Sequence, residues 1–431
     1  MMKSMNSATE LEKPDHPAFD EAYYLEIYPD VAAAIERGEY ASAREHYLEH
    51  GAAEGRAASR PYREAVADLL TPSTTEMVYL ELTSRCNLRC TYCAVSQPTY
   101  VGSDLPLERF DPFLEEMRER RVQVIVMNGH GESSIVTGWE ALADRLADAG
   151  FRLHITTNLA KRLTPGEVSA LSRFEKIYIS LDTVDPALCA ELRRGARMDV
   201  ILENLELIRK HAASRRRNPE IGISVVVSDL SAPGLGTLIN TMWQRGATVF
   251  RFGDLAEYPP LEGVLVARHL STLAREELAA ASRSFRAAIE RLERNGGSHF
   301  IDPPIAAILL DHHEERIESA VRTPERILKK TVHHDQVLPG STRDCLDPWK
   351  IAFVQSTGEV RPCCFFEETL GGLATDSLSD IFEGENFRRL REELLTGKLR
   401  PNCANCSGRP VIATAEFEKK VRAFRESESR P

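Results

Sequence analysis

The sequence lacks a long apolar run and an excess of positive charge. Its N-terminus has no apolar core of the kind found in a signal peptide, and no stretch approaches the roughly 18 apolar residues of a membrane span. The formal net charge is −11, so the surface as a whole offers no electrostatic attraction for nucleic acid. The run Arg215–Arg217 follows a helical pattern and is typical of a solvated helix end. These absences predict a cytoplasmic protein that binds neither nucleic acid nor a membrane.

Cysteine is scarce but clustered. The chain has nine cysteines among 431 residues. Because the cytosol keeps thiols reduced, clustered cysteines indicate metal binding rather than a disulfide framework. With 42% hydrophobic and 28% charged residues, the composition is that of a folded protein, and the length predicts two or three domains.

From residue 78 onward, short apolar runs alternate with helical patterns such as 107–118 and 200–210. This order is typical of a parallel βα architecture. Six βα units predict an α/β fold, an open partial (β/α)6 barrel whose active site lies at the C-terminal ends of the strands. The six predicted strands are Val78–Leu82, Val122–Met127, Arg152–Thr156, Lys176–Leu181, Ile221–Val227 and Thr248–Phe252.

Smaller parts are expected on either side of the barrel. Phe19, Tyr24, Tyr28 and Tyr47 lie in a segment that predicts short helices. This segment resembles a small helical module attached to glycan-related and surface-associated bacterial proteins; alternatively, its aromatic residues merely hold a helical hairpin together. The predicted division is a helical extension over 1–70, the barrel over 75–300, a helical bridge over 301–338, an α+β cluster domain over 339–415 and a tail over 416–431.

Cys86, Cys90 and Cys93 follow the first predicted strand with C-x3-C-x2-C spacing. Three thiolates can hold three irons of a [4Fe-4S] cube and leave the fourth iron open, which separates a catalytic centre from a closed structural one. Structural zinc is the alternative, but it takes four ligands, and no fourth cysteine or histidine follows nearby.

Residues 81–85, Glu-Leu-Thr-Ser-Arg, together with the cysteine triplet resemble the signature of the radical S-adenosylmethionine (SAM) superfamily. The resemblance continues through the six βα units. It implies an oxidoreductase-type enzyme in which SAM binds the open iron and is cleaved by one electron. The resulting 5′-deoxyadenosyl radical would then abstract hydrogen from a substrate carbon.

The same resemblance implies a set of SAM contacts at the strand ends. Ser180 and Asp182 are two residues apart, so both would project from one face of their strand if the neighbouring isoleucines pack outward. Three residues depart from the family pattern: His130 and Leu159 each stand in place of a glycine, and Ser133 in place of a proline. The implied SAM contacts are Tyr92, Gly129, Gly131, Glu132, Asn158, Ser180, Asp182 and Arg194.

Some of these residues have simpler roles open to them. Asn158 could cap the following turn, and Asp182 could cap the next helix. Arg193 and Arg194 could belong to a charged helix end.

A second group of cysteines lies near the C-terminus. Together with Trp349, Gly358 and Gly371–Leu373, it resembles the auxiliary-cluster domain of SPASM and twitch radical SAM enzymes. Five cysteines fit one auxiliary [4Fe-4S] cluster, as in the shorter twitch form, better than two; structural zinc is the alternative. The implied ligands are Cys345, Cys363, Cys403 and Cys406, with Cys364 as the competitor of Cys363.

The substrate stays open between a small molecule, a sugar and a peptide. The resemblance implies a flavodoxin- or ferredoxin-type electron donor and natural-product, sugar or peptide modification. Alternatives are an enzyme that cross-links, epimerises or oxidises a ribosomally made peptide, and a catalytically inactive iron–sulfur scaffold. Phe252, Asp254 and Glu257 are expected either to line the substrate pocket or to form a helix-capping loop.

Overall fold

The computed structural model describes residues 19–51, 54, 56, 66–106, 110–255, 267–310, 336–406 and 408–428. The chain divides into two compact units, residues 1–70 and 71–431. No helix in the described ranges is both long enough and apolar enough to cross a membrane.

The first unit is helical, as its aromatic pattern predicts. Its core is formed by Tyr24, Val31 and Ala43, and the Tyr24 hydroxyl lies 3.1 Å from His46 Nδ1. Phe19 and Tyr47 pack their rings against Tyr24. The helices are Glu21–Ile27, Pro29–Glu36, Ala43–His46 and Ala67–Leu70, with a π-helical turn at Tyr47–Gly51.

The second unit is built on one ten-stranded sheet with the order β13-β12-β11-β1-β3-β4-β5-β7-β8-β9. All neighbours from β11 through β9 pair in parallel, and β12 and β13 add an antiparallel edge. The strands are β1 Met77–Leu80, β2 Arg89–Cys90, β3 Val124–Met127, β4 Arg152–Thr157, β5 Lys176–Ser180, β6 Arg193–Arg194, β7 Glu220–Val227, β8 Ala247–Asp254, β9 Ser298–Ile301, β10 Ser341–Arg343, β11 Ile351–Val354, β12 Glu359–Arg361, β13 Gly371–Gly372 and β14 Val411–Ala413.

Helices cover one face of this sheet, which we call the outer face. Alternate strand residues such as Ile177, Ile179 and Phe252 are fully buried there in a common core with helix residues. Successive side chains of a strand point to opposite faces, so Tyr178 and Arg251 lie on the inner face. The helices are Phe110–Glu119, Trp139–Asp148, Pro165–Leu171, Pro186–Leu192, Met198–Ser214, Leu235–Gln244, Arg275–Arg294, Pro303–Leu309, Asp347–Lys350, Leu378–Glu383, Glu385–Thr396, Pro401–Ala404 and Thr414–Glu428.

The predicted partial barrel is confirmed, and the six predicted strands correspond to β1, β3, β4, β5, β7 and β8. Two differences extend it. Ser298–Ile301, at the predicted boundary between the barrel and the helical bridge, is not among the six predicted strands, yet it pairs in parallel with β8. On the other side, Ile351–Val354 pairs in parallel with β1, so the C-terminal cysteine segment continues the barrel sheet.

The remaining C-terminal elements surround the end of this sheet. Strands β10 and β14 form a separate antiparallel pair. The predicted tail over 416–431 is mostly the helix Thr414–Glu428, which buries Phe417, Val421 and Phe424. Most of the predicted bridge, residues 311–335, lies outside the described residues, and the predicted domain boundaries stay predictions.

Candidate active site

The cysteine triplet lies in the loop that leaves β1 at its C-terminal end. Two short strands hold this loop, because β2 pairs with β6 and places Cys90 opposite Arg193. The Thr91 amide also donates to the Leu192 carbonyl at 2.9 Å. Backbone hydrogen bonds therefore join the loop that carries the triplet to the segment that follows β5.

The three thiols suit an iron–sulfur cluster by their chemistry. Burial raises the pKa of Cys86 and raises the pKa of Cys90 to about 12, and the neighbouring thiol of Cys93 acts in the same direction. Thiolates crowded together in a buried site need a cation to be stable, and iron supplies it. No group of three or more His, Cys, Asp or Glu side chains in the described ranges is placed to hold a metal ion.

The loop after β3 packs directly on the cysteine loop. A Cβ atom at Gly131 would clash with the carbonyl oxygens of Thr83 and Arg85, so this position requires glycine. The next amide, of Glu132, donates to the Arg85 carbonyl at 2.8 Å. Residues Ser133–Ile135 then form a 3-10 turn where the family pattern has a proline.

The Glu132 carboxylate is buried and accepts four hydrogen bonds. Its donors are the Ser134 amide and hydroxyl, the Thr157 hydroxyl at 2.8 Å and the Asn158 amide at 2.7 Å. These bonds hold the loop after β3 against the end of β4. Glu132 therefore shapes the loop, and its contact with the SAM amino group stays a prediction.

Asn158 lies beside the cysteine loop. Its Nδ2 is 3.0 Å from Asn87 Oδ1 and 3.7 Å from Cys86 Sγ, and its Oδ1 accepts from the Ala160 amide. Leu159, which replaces the family glycine, adopts a φ of +49°, the left-handed conformation that glycine favours. The backbone therefore keeps the shape expected of the motif despite the substitution.

Asp182 is the centre of a buried network. Its carboxylate accepts from Arg193 Nε at 2.9 Å and Nη2 at 2.8 Å, from the Val226 amide at 2.9 Å, and from the Tyr92 hydroxyl. Asp185, not Asp182, caps the next helix. Asp182 thus joins the cysteine loop, β6 and β7, and its contact with SAM stays a prediction.

Arg193 and Arg194 are adjacent in the sequence, and the structure distinguishes their positions. Burial opposes the charge of Arg193, but Asp182 raises its pKa well above the ordinary value, so it is a permanent cation. Arg194, the predicted SAM contact, is exposed on β6, and Ser180 is half-buried at the end of β5. The antiparallel pairing of β2 with β6 decides which arginine points inward.

Glu81 is a residue without a predicted individual role. Its buried carboxylate accepts from the His130 amide at 2.6 Å and from the Ser356 amide and hydroxyl at 3.0 Å. His130 Nδ1 lies 3.3 Å from the same carboxylate, which raises the pKa of the imidazole. Gly129 leaves room for Glu81, because a Cβ atom there would clash with the carboxylate.

The four predicted C-terminal cysteine ligands come from three segments of the chain. Cys345 follows β10, Cys363 follows β12, and Cys403 and Cys406 lie at the helix Pro401–Ala404. Burial raises the pKa of Cys363 and of Cys403 to about 12, and the nearby Cys406 thiol acts in the same direction on both. Cys364 is exposed, whereas the other four are partly buried.

Two family models match the chain in the regions of these two cysteine groups. Residues 80–216 match the radical SAM superfamily, and residues 345–407 match the SPASM iron–sulfur cluster-binding domain. The chain is a radical SAM enzyme with a SPASM domain. It therefore binds SAM and a [4Fe-4S] cluster, and its C-terminal domain binds a further iron–sulfur cluster.

Curated relatives of this radical SAM enzyme are distant. It is 22% identical to the AdoMet-dependent heme synthase of Methanosarcina barkeri over 79% of this chain and 93% of that protein. It is 26% identical to the GTP 3′,8-cyclase of Bradyrhizobium diazoefficiens over 40% of this chain, and the match spans half of that protein.

Solved structures share the fold across most of the chain. SuiB of Streptococcus suis bound to S-adenosylmethionine aligns with a TM-score of 0.54 and 16% identity over 86% of this chain and 83% of that chain. The same protein bound to its precursor peptide SuiA aligns with a TM-score of 0.51 and 14% identity over 85% and 81% of the two chains.

Proposed function

We propose that this radical SAM enzyme modifies a peptide, which it holds between the inner face of the sheet and the SPASM domain. The observation that carries the proposal is the parallel pairing of β1 with β11, which places the SPASM domain next to the strand that precedes the cysteine triplet. The likeness in fold to SuiB, which has been crystallised with a precursor peptide, supports a peptide over a sugar.

We assign the catalytic cluster to Cys86, Cys90 and Cys93, and the auxiliary cluster to Cys345, Cys363, Cys403 and Cys406. When bound and reduced, the first cluster would supply one electron for the cleavage of SAM. The 5′-deoxyadenosyl radical that results would abstract hydrogen from the substrate. The residues around it position SAM: Gly131 offers backbone where a side chain would not fit, and Asn158 lies beside Cys86. A flavodoxin- or ferredoxin-type protein is the proposed electron donor.

The inner face supplies the space for the peptide. Tyr79, Tyr178 and Phe353 present aromatic rings there, and the Tyr79 and Phe353 rings stack with centroids 5.7 Å apart. Tyr79 lies on β1 and Phe353 on β11 of the SPASM domain, and the two residues are register partners, so the two domains meet on this face. A peptide bound there would lie against residues of both domains.

The test uses the anaerobically reconstituted, reduced protein with SAM. Amidated peptide pools and a pool of free sugars are supplied separately, and 5′-deoxyadenosine and substrate mass are measured together. We expect the peptide pools to increase 5′-deoxyadenosine and to yield peptides that have lost hydrogen or changed configuration. The Cys90→Ala variant is the matched control and should form no 5′-deoxyadenosine. Coupled turnover of a sugar but of no peptide would overturn the proposal.

A further inference from the structure

The inner face of β8 carries the guanidinium of Arg251, which has no carboxylate partner among the described residues. Arg251 is exposed and lies between Phe250 and Phe252, both of which are fully buried on the outer face. Within the described part of the chain, no acidic side chain pairs with Arg251. Phe252, expected either to line the substrate pocket or to belong to a helix-capping loop, is buried in the outer core.

Other cations near this face do have carboxylate partners. On the inner face, Lys176 Nζ lies 3.2 Å from Glu220 Oε1. In the SPASM domain, Arg409 pairs with Asp347 at 2.6 Å. Among the described residues, Arg251 thus differs from Lys176 and Arg409 in having no carboxylate partner.

Two residues on neighbouring strands, Tyr178 and Gly222, hold the Arg251 side chain in position. Its Cζ lies 4.1 Å from the centre of the Tyr178 ring, an arrangement in which the ring attracts the cation. The Tyr178 ring lies over Gly222 on the adjacent strand, where a Cβ atom would clash with it. Gly222 therefore makes room for the ring that holds the guanidinium.

Arg251 also lies in the region where a substrate would meet both domains. Register places it opposite Ser224, which in turn pairs with Ser180 at the end of β5. Arg251 lies three residues before the end of β8, on the face that also carries Tyr79 and the SPASM residue Phe353. The guanidinium thus lies on the face that the peptide would contact.

We propose that Arg251 binds a carboxylate of the substrate, held in place by Tyr178 and Gly222. This inference rests on the peptide function proposed above, so the carboxylate is that of an aspartate or glutamate side chain or of the peptide C-terminus. A planar guanidinium binds a carboxylate through two parallel hydrogen bonds, which fixes orientation as well as position. Arg251 is thereby a specificity-determining residue.

The test measures binding to the reconstituted holoenzyme with SAM present. The probes are three pools of otherwise uncharged peptides labelled with an uncharged fluorophore. One pool has a central glutamate and an amidated C-terminus, one has glutamine there and is amidated, and one has glutamine and a free C-terminal carboxylate. The proteins compared are the wild type, Arg251→Gln, Arg251→Lys and Arg217→Gln, the last removing an exposed arginine from the outer helix end.

We expect wild type to bind one carboxylate-bearing pool about tenfold or more tightly than the uncharged pool, as a charge-assisted hydrogen-bonded pair provides. Arg251→Gln should abolish this preference, Arg251→Lys should retain part of it, and Arg217→Gln should keep it. The pool that shows the preference identifies a side-chain or a C-terminal carboxylate. SAM affinity should be unchanged in all variants, which also shows that they fold.

Four results would overturn the inference. A preference that persists in Arg251→Gln would assign the carboxylate to another residue, and weakened SAM binding in Arg251→Gln would assign Arg251 to the SAM site. Equal binding of all pools would reject the carboxylate contact while leaving the peptide function intact. Failure of every peptide pool to bind, with turnover of a sugar, would reject both.

Discussion

At Gly131 the chain has no room for even one added carbon, because backbone carbonyls of the cysteine loop occupy the space. Gly131→Ala should displace that loop, at a cost of about 1–3 kcal/mol typical of overpacking. We predict that the purified variant retains less iron and cleaves SAM at least tenfold more slowly, measured by iron content and 5′-deoxyadenosine.

Gly166→Ala is the matched control. Gly166 is the second residue of a helix, and a Cβ atom there would meet nothing closer than 3.8 Å. It should therefore retain iron and activity. Normal iron content and SAM cleavage in Gly131→Ala would show that the contact between the two loops is unimportant.

Asp182 offers a second test, because its carboxylate neutralises the buried Arg193. Asp182→Asn leaves that cation without a charged partner, which typically costs about 3–5 kcal/mol of unfolding free energy. We predict this loss by chemical denaturation in the absence of SAM. Unchanged stability combined with weaker SAM binding would instead make Asp182 a SAM contact with no structural role.

Sequence motifs identify individual residues where the motif specifies their position. They do not show which way a side chain points where strand pairing determines its direction. The cysteine spacing, Gly131 and Asn158 could be found from the motif alone. Whether Arg193 or Arg194 points inward depends on the register of β6 with β2, which no local pattern reveals. Arg251 could have been found, because the alternation of buried phenylalanines around it was present in the sequence.

Among the elements, the pairing of β1 with β11 joins segments about 270 residues apart and makes the barrel and the SPASM domain share a sheet. Arg120 adds a second link: its guanidinium donates to Thr75 and to Glu383, a SPASM residue. Strands hydrogen-bonded on both sides should open together.

We therefore predict that amides of Tyr79 and Phe353 exchange with deuterium at similar opening free energies in native-state hydrogen exchange. Amides of the separate β10 and β14 pair serve as the comparison, because that pair lies outside the main sheet. Exchange of β11 far faster than β1 would show that the SPASM domain opens independently of the barrel.

Strands and helices could be predicted where the sequence has apolar runs. They were missed in polar segments and in the C-terminal tail. The six barrel strands are short apolar runs between helical patterns, so their hydrophobicity located them. Ser298–Ile301 is short and half polar, and it was missed within a charged segment. The helix Thr414–Glu428 was missed although Phe417, Val421 and Phe424 already repeat with helical spacing.

At the scale of the whole molecule, the chain has two groups of cysteines, and we assign a [4Fe-4S] cluster to each. The three proposed ligands of the first cluster come from a single loop, whereas those proposed for the second come from separate segments of the SPASM domain. The clusters should therefore be separable by mutation.

The most direct test is the iron and acid-labile sulfide content of the anaerobically reconstituted protein and of its Cys86→Ala, Cys90→Ala, Cys93→Ala triple variant. Two cysteine-bound cubes predict about eight irons in the wild type and about four in the variant. About four irons in the wild type and none in the variant would contradict the auxiliary cluster, and unchanged iron in the variant would contradict the assignment of the triplet.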